Sequence, residues 1–376
     1  MRVIIFVIVF AVIFTLMNLY INYRFIQRLS IPALYRNIGS GIVVLLLFCQ
    51  MLYLLAFQFD RFPSFIFLLL GTAIGVSFML FVVALGYDVL VTAYNLFLRP
   101  NGGKIRIIID VIVIAIMLTY ILVGLVGGNR DPEWVNVKVP INVPNHSRFH
   151  IVQLSDVHVG HVIKKPFVER LVNRINESSP DLVVITGDLI DRDPDKIEKH
   201  LAPLANLKSK YGTFFALGNH EYFHNPERGI EIVKSLGITV LDDKSQTLVD
   251  QSGQPFLNVV GLLDLVGRSM DVMVPNDDLA FQKVNKNLPT IVLAHQPLWI
   301  QEIAKFQPDL VLTGHTHGGQ IFPFSYLVYI QQPYLNGLHQ YSNHHYIYIS
   351  RGTGFWGPPI RVLAPSEITE LILTTE

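Results

Sequence analysis

Four long runs without a charged side chain dominate the first third of the chain, at residues 3–23, 37–59, 63–87 and 111–129. Each is close to the roughly 20 residues that a helix needs to cross a bilayer. Beyond them the pattern changes. Short apolar runs rich in β-branched residues, at 149–154, 182–186, 213–217, 290–294 and 309–313, read as buried strands. They alternate with helical segments at 166–177, 195–207, 226–236 and 298–305, and two later strands are expected at 345–350 and 367–373. The pattern predicts an all-α four-helix transmembrane region (1–128), an extended linker containing Gly and Pro (129–148) and an α/β domain (149–376). A domain of roughly 230 residues is large enough for its own core.

Composition narrows this picture. The 376 residues are 51% apolar and 15% charged, with zero formal net charge, which gives no reason to invoke a nucleic-acid partner. The single Cys49 excludes an intrachain disulfide. Arg2 ahead of an apolar run looks like the start of a signal peptide, but the run is too long and lacks a small-x-small cleavage site, so a retained helix is expected. Arg24, Arg28, Arg36, Arg99, Lys104 and Arg106 fall on one side of the four crossings, and Arg2, Arg61 and Arg130 on the other. Six cations against three place the first set in the cytoplasm, with both termini and the C-terminal domain on the outer face. Gly71, Gly75 and Gly86 would let helices pack closely. Asp88 and Asp110, near helix ends, are expected to reach the interface.

All 13 histidines lie from His146 onward. Five blocks follow the ends of expected strands: Asp156-Val157-His158, Gly187-Asp188-Leu189-Ile190-Asp191-Arg192, Gly218-Asn219-His220-Glu221, His295 and Gly314-His315-Thr316-His317. An α/β fold places its active-site loops there. Asp156 and His158 alternate, so both can project to one side. Asp188 follows a flexible glycine, and its two oxygens can bridge two cations. Asn219 after Gly218 reads equally as a turn residue, and His295 alone as a satisfied pocket histidine. Together the blocks supply oxygen and imidazole donors for two metal ions, with no thiolate, a set that suits Mn, Fe or Zn.

In this order the blocks resemble the calcineurin-like metallophosphoesterase superfamily, whose pattern is D-x-H, G-D-x-x-D, G-N-H-E, H and G-H-x-H. The resemblance spans residues 149–374. Gly314-His315-Thr316-His317-Gly318-Gly319-Gln320, Gln331-Gln332-Pro333-Tyr334, the run from Arg351 to Pro359 and the run from Ala364 to Thr369 look like its bacterial membrane-linked subgroup. The resemblance implies a four-layer αββα sandwich. It also implies a first metal on Asp156, His158, Asp188 and His317, and a second on Asp188, Asn219, His295 and His315. His220 would then protonate the leaving oxygen and Asp191 would orient it. Two such cations, about 3.5–4 Å apart, can share a hydroxide for in-line attack on phosphorus.

The expected activity is therefore a membrane-anchored phosphohydrolase of a bacterial inner membrane. Its substrate would be a lipid-linked, nucleotide-sugar or envelope phosphate, cleaved as a diester or pyrophosphate. The alternatives are a protein phosphatase, disfavoured by Asp193 after Asp191-Arg192 and by Ala216-Leu217 before Gly218, and a membrane sensor with a structural metal site. Phe355 and Trp356, in a Gly- and Pro-rich loop flanked by Arg351 and Arg361, offer either an apolar substrate wall or ordinary packing.

Overall fold

The computed structural model describes residues 2–59, 62–97 and 104–375; Arg61 and Arg99 of the charge comparison lie outside them. The chain divides into two compact units. One comprises Met1–Asn129 with Gly357–Val362, the other Arg130–Trp356 with Leu363–Glu376.

The first unit is built on helices α1 (Arg2–Tyr20), α2 (Ala33–Phe59), α3 (Ser64–Phe97) and α4 (Lys104–Gly128). Four helical segments are long and apolar enough to cross a membrane. The first runs on past α1 to Arg28, through a wide turn at Ile21–Phe25. Extra-wide helical turns of this kind loosen the regular ladder and let a polar side chain leave the lipid-facing surface.

Here polar residues gather into matched sets, one partly exposed around Asp88 and one buried around Asp110. Tyr20 donates to Asp88 at 2.9 Å, Arg24 pairs with Asp88 at 2.8 Å, and Arg28 also reaches it. Asp110 accepts from Tyr87 (2.8 Å) and the Ser30 amide (2.6 Å), and Arg106 pairs with it at 3.3 Å. The two aspartates differ in exposure: Asp110 is only 2% exposed, whereas Asp88 keeps part of its side chain at the surface. An acid on an apolar helix is stable where cations and donors replace its water. Higher in the unit, Asn18 donates to Gln50 at 2.9 Å.

The glycines differ from expectation. Gly71 and Gly75 receive the inserted Gly357–Val362 segment rather than a neighbouring helix. A Cβ on Gly75 would collide with Pro358 and Ile360, whereas nothing approaches Gly86. The Arg361 amide donates to the Gly124 carbonyl at 3.1 Å, which fixes that segment within the unit.

The second unit contains two six-stranded sheets. The strands are β1 (Glu133–Val139), β2 (Arg148–Leu154), β3 (Leu182–Thr186), β4 (Thr213–Ala216), β5 (Thr239–Val240), β6 (Lys244–Val249), β7 (Pro255–Gly261), β8 (Thr290–Leu293), β9 (Leu310–Thr313), β10 (Gly337–Ser342), β11 (His345–Ile349) and β12 (Glu367–Thr374). Their orders are β1-β12-β2-β3-β4-β5 and β10-β11-β9-β8-β7-β6. Strands β2 to β5 are mutually parallel, as are β7 to β9 with β11.

Alternation along β3 shows why the layers stack. Leu182 and Val184 join the core between the sheets, with Ile291, Leu293, Leu310 and Leu312 of the other sheet. Val183 and Ile185 face the opposite way, onto helices α5 (Lys165–Ser178), α6 (Pro194–Leu201) and, further on, α8 (Pro226–Ser235). Strands covered on both faces need continuous apolar sequence, and β3 has it. Behind the second sheet, Trp299, Ile300 and Ile303 pack on Val292, Val311 and Ile347. The result is the four-layer αββα sandwich.

Two expected elements changed. The 195–207 helix stops at Leu201 and tightens into a turn over Ala202–Asn206, because Pro203 has no amide hydrogen to continue it. Within 129–148, Glu133–Val139 is a strand that pairs in parallel with β12, in register from Glu133 opposite Glu367. Its alternation is weak, because only one edge of the sheet needs covering there.

Candidate metal centre

Five loops converge at the carboxyl ends of the parallel strands, three from the first sheet and two from the second. Asp156 and His158 follow β2, and Asp188 follows β3. Asn219 and His220 open a short helix, α7 (Asn219–Phe223), after β4; His295 follows β8, and His315 and His317 follow β9. Backbone hydrogen bonds stitch the loops together: Asp156 N–H to Gly187 O (3.0 Å), His158 N–H to Asp188 O (2.9 Å) and Gly314 N–H to His295 O (2.9 Å). Across the sheets, the His315 amide donates to Asp156 Oδ1 at 3.0 Å. Gly314 must be glycine for this approach, since a Cβ there would overlap Ser155 and Asp156.

Five of the seven expected ligands, Asp156, His158, Asp188, His315 and His317, hold left-handed backbone conformations. Each costs about 1 kcal/mol or more, and strain of this kind concentrates at working sites. All five point their side chains at one another.

The polar atoms they bring together are mismatched. His295 Nδ1 bonds the Thr186 carbonyl at 2.9 Å, so one ring hydrogen sits there, and Nε2 faces Asp188 Oδ2 at 3.1 Å. His158 Nε2 lies 3.1 Å from His317 Nε2, and His315 Nδ1 lies 3.3 Å from His295 Nε2. Among the described residues, the buried Asn219 Oδ1 has no hydrogen-bond partner. Each close nitrogen pair holds at most one hydrogen while its rings are neutral, and buried polar atoms left short of partners are costly. Cations between them would satisfy all of these atoms.

Two donor groups emerge, Asp156 with His158 and His317, and Asp188 with His295 and His315, each with its ligand atoms within 4.8 Å of one another. Asp188 Oδ2 also lies 3.9 Å from His158 Nε2, so this carboxylate stands between the groups. A third such group joins His158, Asp191 and His220.

Electrostatics agree with the geometry. Burial pushes His158 down to about 4 and His315 down to about 3, which keeps both neutral, the form that binds metal. Burial lifts Asp156 to about 6. Burial would also raise Asp188, but His295 and His220 outweigh it and hold the carboxyl well below its ordinary value. His295 shows the complementary effect: against its burial, Asp188 and then Asp156 hold its pKa well above the usual imidazole range. The carboxylates thus demand positive charge at the centre.

His220 differs from the other imidazoles. Its Nδ1 sits 2.6 Å from Asp191 Oδ1, while Nε2 faces inward, 4.0 Å from Asp188 Oδ2. Burial alone would lower it, but Asp188 and Asp191 outweigh burial and lift it to about 9. The Asp191 carboxylate thus favours its protonated form.

Sequence reasoning missed Glu221, although it lies inside a quoted block. Its carboxylate accepts from the amides of Gly218 (2.6 Å), Ile190 (2.8 Å) and Asp188 (3.0 Å), tying two site loops into one knot. Asp264, which no motif signals, is buried and accepts from the Gln296 side chain at 2.8 Å, beside His295. The aromatic pair divides: Phe355 packs against the helix-side core, whereas Trp356 is 50% exposed, with its ring 6.3 Å from that of His220. Arg351 is held by Glu367 at 2.5 Å, and Arg361 is buried, so neither is a free phosphate receptor.

Comparison with known proteins follows the same residues. The family model described as calcineurin-like phosphoesterase matches residues 149–319. An uncharacterised metallophosphoesterase of Helicobacter pylori is 37% identical over 85% of each chain. One of Campylobacter jejuni is 34% identical over 98% of each. A transmembrane protein with metallophosphoesterase domain from Danio rerio is 32% identical over 73% of this chain and 64% of its own length. On these matches, the chain belongs to the calcineurin-like metallophosphoesterase family.

Proposed function

We propose that this chain is a membrane-anchored phosphohydrolase that cleaves a phosphodiester or pyrophosphate carrying an apolar or lipid-linked group. The observation that carries the reading is the convergence of carboxylate oxygens and imidazole nitrogens in two groups on either side of Asp188, which two cations would suit. Asp156, His158, Asp188 and His317 would hold one, and Asp188, Asn219, His295 and His315 the other. When bound, such cations neutralise phosphoryl charge and lower the pKa of water.

The chain's own residues supply the rest. His220, protonated and aimed inward through Nε2, gives its proton to the departing oxygen. Asp191 holds the ring through Nδ1 and stabilises the charged form. Glu221 keeps the Asp188 and His220 loops in fixed relation. Beyond His220, Phe223 (53% exposed) and Trp356 leave an aromatic surface where the leaving group would depart. That surface favours an apolar leaving group.

The sequence-based orientation is retained in this reading, with the catalytic unit on the outer face of a bacterial inner membrane. The gathering of Arg24, Arg28 and Arg106 around Asp88 and Asp110 puts these cations at one end of the helices, as that charge count assumed. Protease digestion of intact spheroplasts tests the side, and full protection of the C-terminal unit would reverse it. The activity is tested by a hydrolysis screen on full-length protein reconstituted with Mn, Fe or Zn. The screen compares monoesters, diesters, nucleotide diphosphate sugars and phospholipids, with Asp188→Ala as control. Turnover that needs a metal and disappears in the control is expected; turnover untouched by the substitution would remove the two-cation reading.

A further inference from the structure

The second unit exposes twelve large apolar side chains among its described residues, and six of them fall within nine positions. Phe322, Phe324, Tyr326, Leu327, Tyr329 and Ile330 are 39% to 80% exposed, on a turn and the short helix Ser325–Gln331. That helix has no buried residue at all. A helix that packs on its own domain would bury one stripe and show polar groups on the other. Here every turn offers aromatic or aliphatic groups to the outside.

The surrounding sequence removes the usual explanation, a solvated surface helix. Across residues 310–350 there is no Asp, Glu, Lys or Arg. The strands β9 and β11 account for the two ends of that stretch through burial, but not for its exposed middle. A contiguous apolar patch of this kind marks a docking surface. Its tyrosines, phenylalanines and aliphatics, with no charge to strip of water, suit the boundary between headgroups and acyl chains, where amphipathic rings settle. The chain itself supplies that partner, because it carries four helices long and apolar enough to cross a bilayer.

We propose that residues 322–330 form a bilayer-docking surface of the catalytic unit, seating Phe324, Leu327 and Ile330 at the headgroup–acyl boundary. The segment starts two residues beyond Gln320, whose side chain bonds the Trp356 backbone in both directions, at 2.9 and 3.0 Å. It therefore continues the loop that carries His315 and His317. Docking there presents the site to phosphate groups attached to membrane lipids. The inference rests on the membrane anchoring and goes beyond the phosphohydrolase reading, and its tests separate the two.

Full-length protein with Cys49→Ser receives one new cysteine, Leu327→Cys, Ile330→Cys or, as control, Val249→Cys on an exposed strand edge of the same unit. Each carries an environment-sensitive fluorophore in nanodiscs of phosphatidylethanolamine and phosphatidylglycerol, with or without lipids spin-labelled near the headgroup. Positions 327 and 330 are expected to lose most of their emission to the spin-labelled lipid, while 249 keeps its own. Equal quenching at 330 and 249 overturns the proposal. So does a position 330 shielded from an aqueous quencher yet untouched by the lipid one, since a protein surface would then cover it.

Leu327→Asp with Ile330→Asp supplies the functional readout. Hydrolysis of a water-soluble aryl phosphodiester should be unchanged, while hydrolysis of a phosphate ester embedded in vesicles falls roughly tenfold or more, the scale of one large side chain's lost burial. Equal rates on the embedded ester in both proteins would overturn the docking surface. Absence of soluble-ester turnover in the parent protein would instead count against the phosphohydrolase reading and leave the quenching result standing.

Discussion

Both units bury carboxylates, and they do so in opposite ways. In the helical unit Asp88 and Asp110 are surrounded by arginines, tyrosine hydroxyls and an amide, so each lone pair meets a hydrogen. In the catalytic unit Asp156 and Asp188 face a cluster of imidazole nitrogens, on backbone held in left-handed conformations. A matched buried cluster fixes one arrangement of helices, whereas a mismatched one stores a demand for something absent from the chain. The comparison separates a polar lock from a cluster of donors suited to cations.

The largest expected effect tests the mismatched side. Asp188→Ala should lower turnover by roughly 10⁴-fold or more, because residues acting as one catalytic unit fail together. Metal analysis should show both cations weakened, not one. Loss of a single cation would move Asp188 out of its position between the two donor groups.

Next comes His220→Ala, expected to cost about 10²–10⁴-fold in kcat with metal content unchanged. Because His158, Asp191 and His220 also form a possible donor group, loss of metal in this variant would reassign His220 as a ligand.

Asp191→Asn should cost less, roughly 10–100-fold, as expected for a partner that acts through another group. It also carries a pH signature. Asp191 favours protonated His220, so removing its charge lowers the His220 pKa from about 9. The donating form is then lost at lower pH, and the alkaline limb of the kcat profile should move down. A limb that stays in place would show that His220 is not the acid being titrated.

The smallest effect on turnover belongs to the matched side. Asp110→Asn leaves Arg106 without its carboxylate, which costs about 3 kcal/mol where the pair is buried. The thermal midpoint in detergent should fall while kcat per folded molecule on a soluble ester stays level. A matching loss of kcat would mean that the helical unit takes part in the chemistry.

Much of this comparison was already legible in the sequence. Residues 182–186 announced a doubly buried strand because apolar Leu182 is followed by four β-branched residues, and the glycines and histidines after such strands marked the loops. The strand at Glu133–Val139 was harder to see, since an edge strand bonded along one side needs little apolar sequence. The polar clusters of the helical unit were illegible for another reason. Tyr20, Arg28, Asp88 and Asp110 are far apart in sequence, and only helix packing brings them together.

The sequence by itself determined the division into apolar helices and an α/β domain, the chemistry of the donors and the family pattern. These follow from local periodicity and residue type, which need no partner to be read. Tertiary structure alone decided that Asp188 lies between two donor groups, that Glu221 knots their loops, and that Phe355 is core while Trp356 stands beside His220. It also decided that an uncharged stretch after His317 leaves its side chains outside. Each of these depends on which distant strands align and which faces remain uncovered, and that is set by packing rather than by neighbours along the chain.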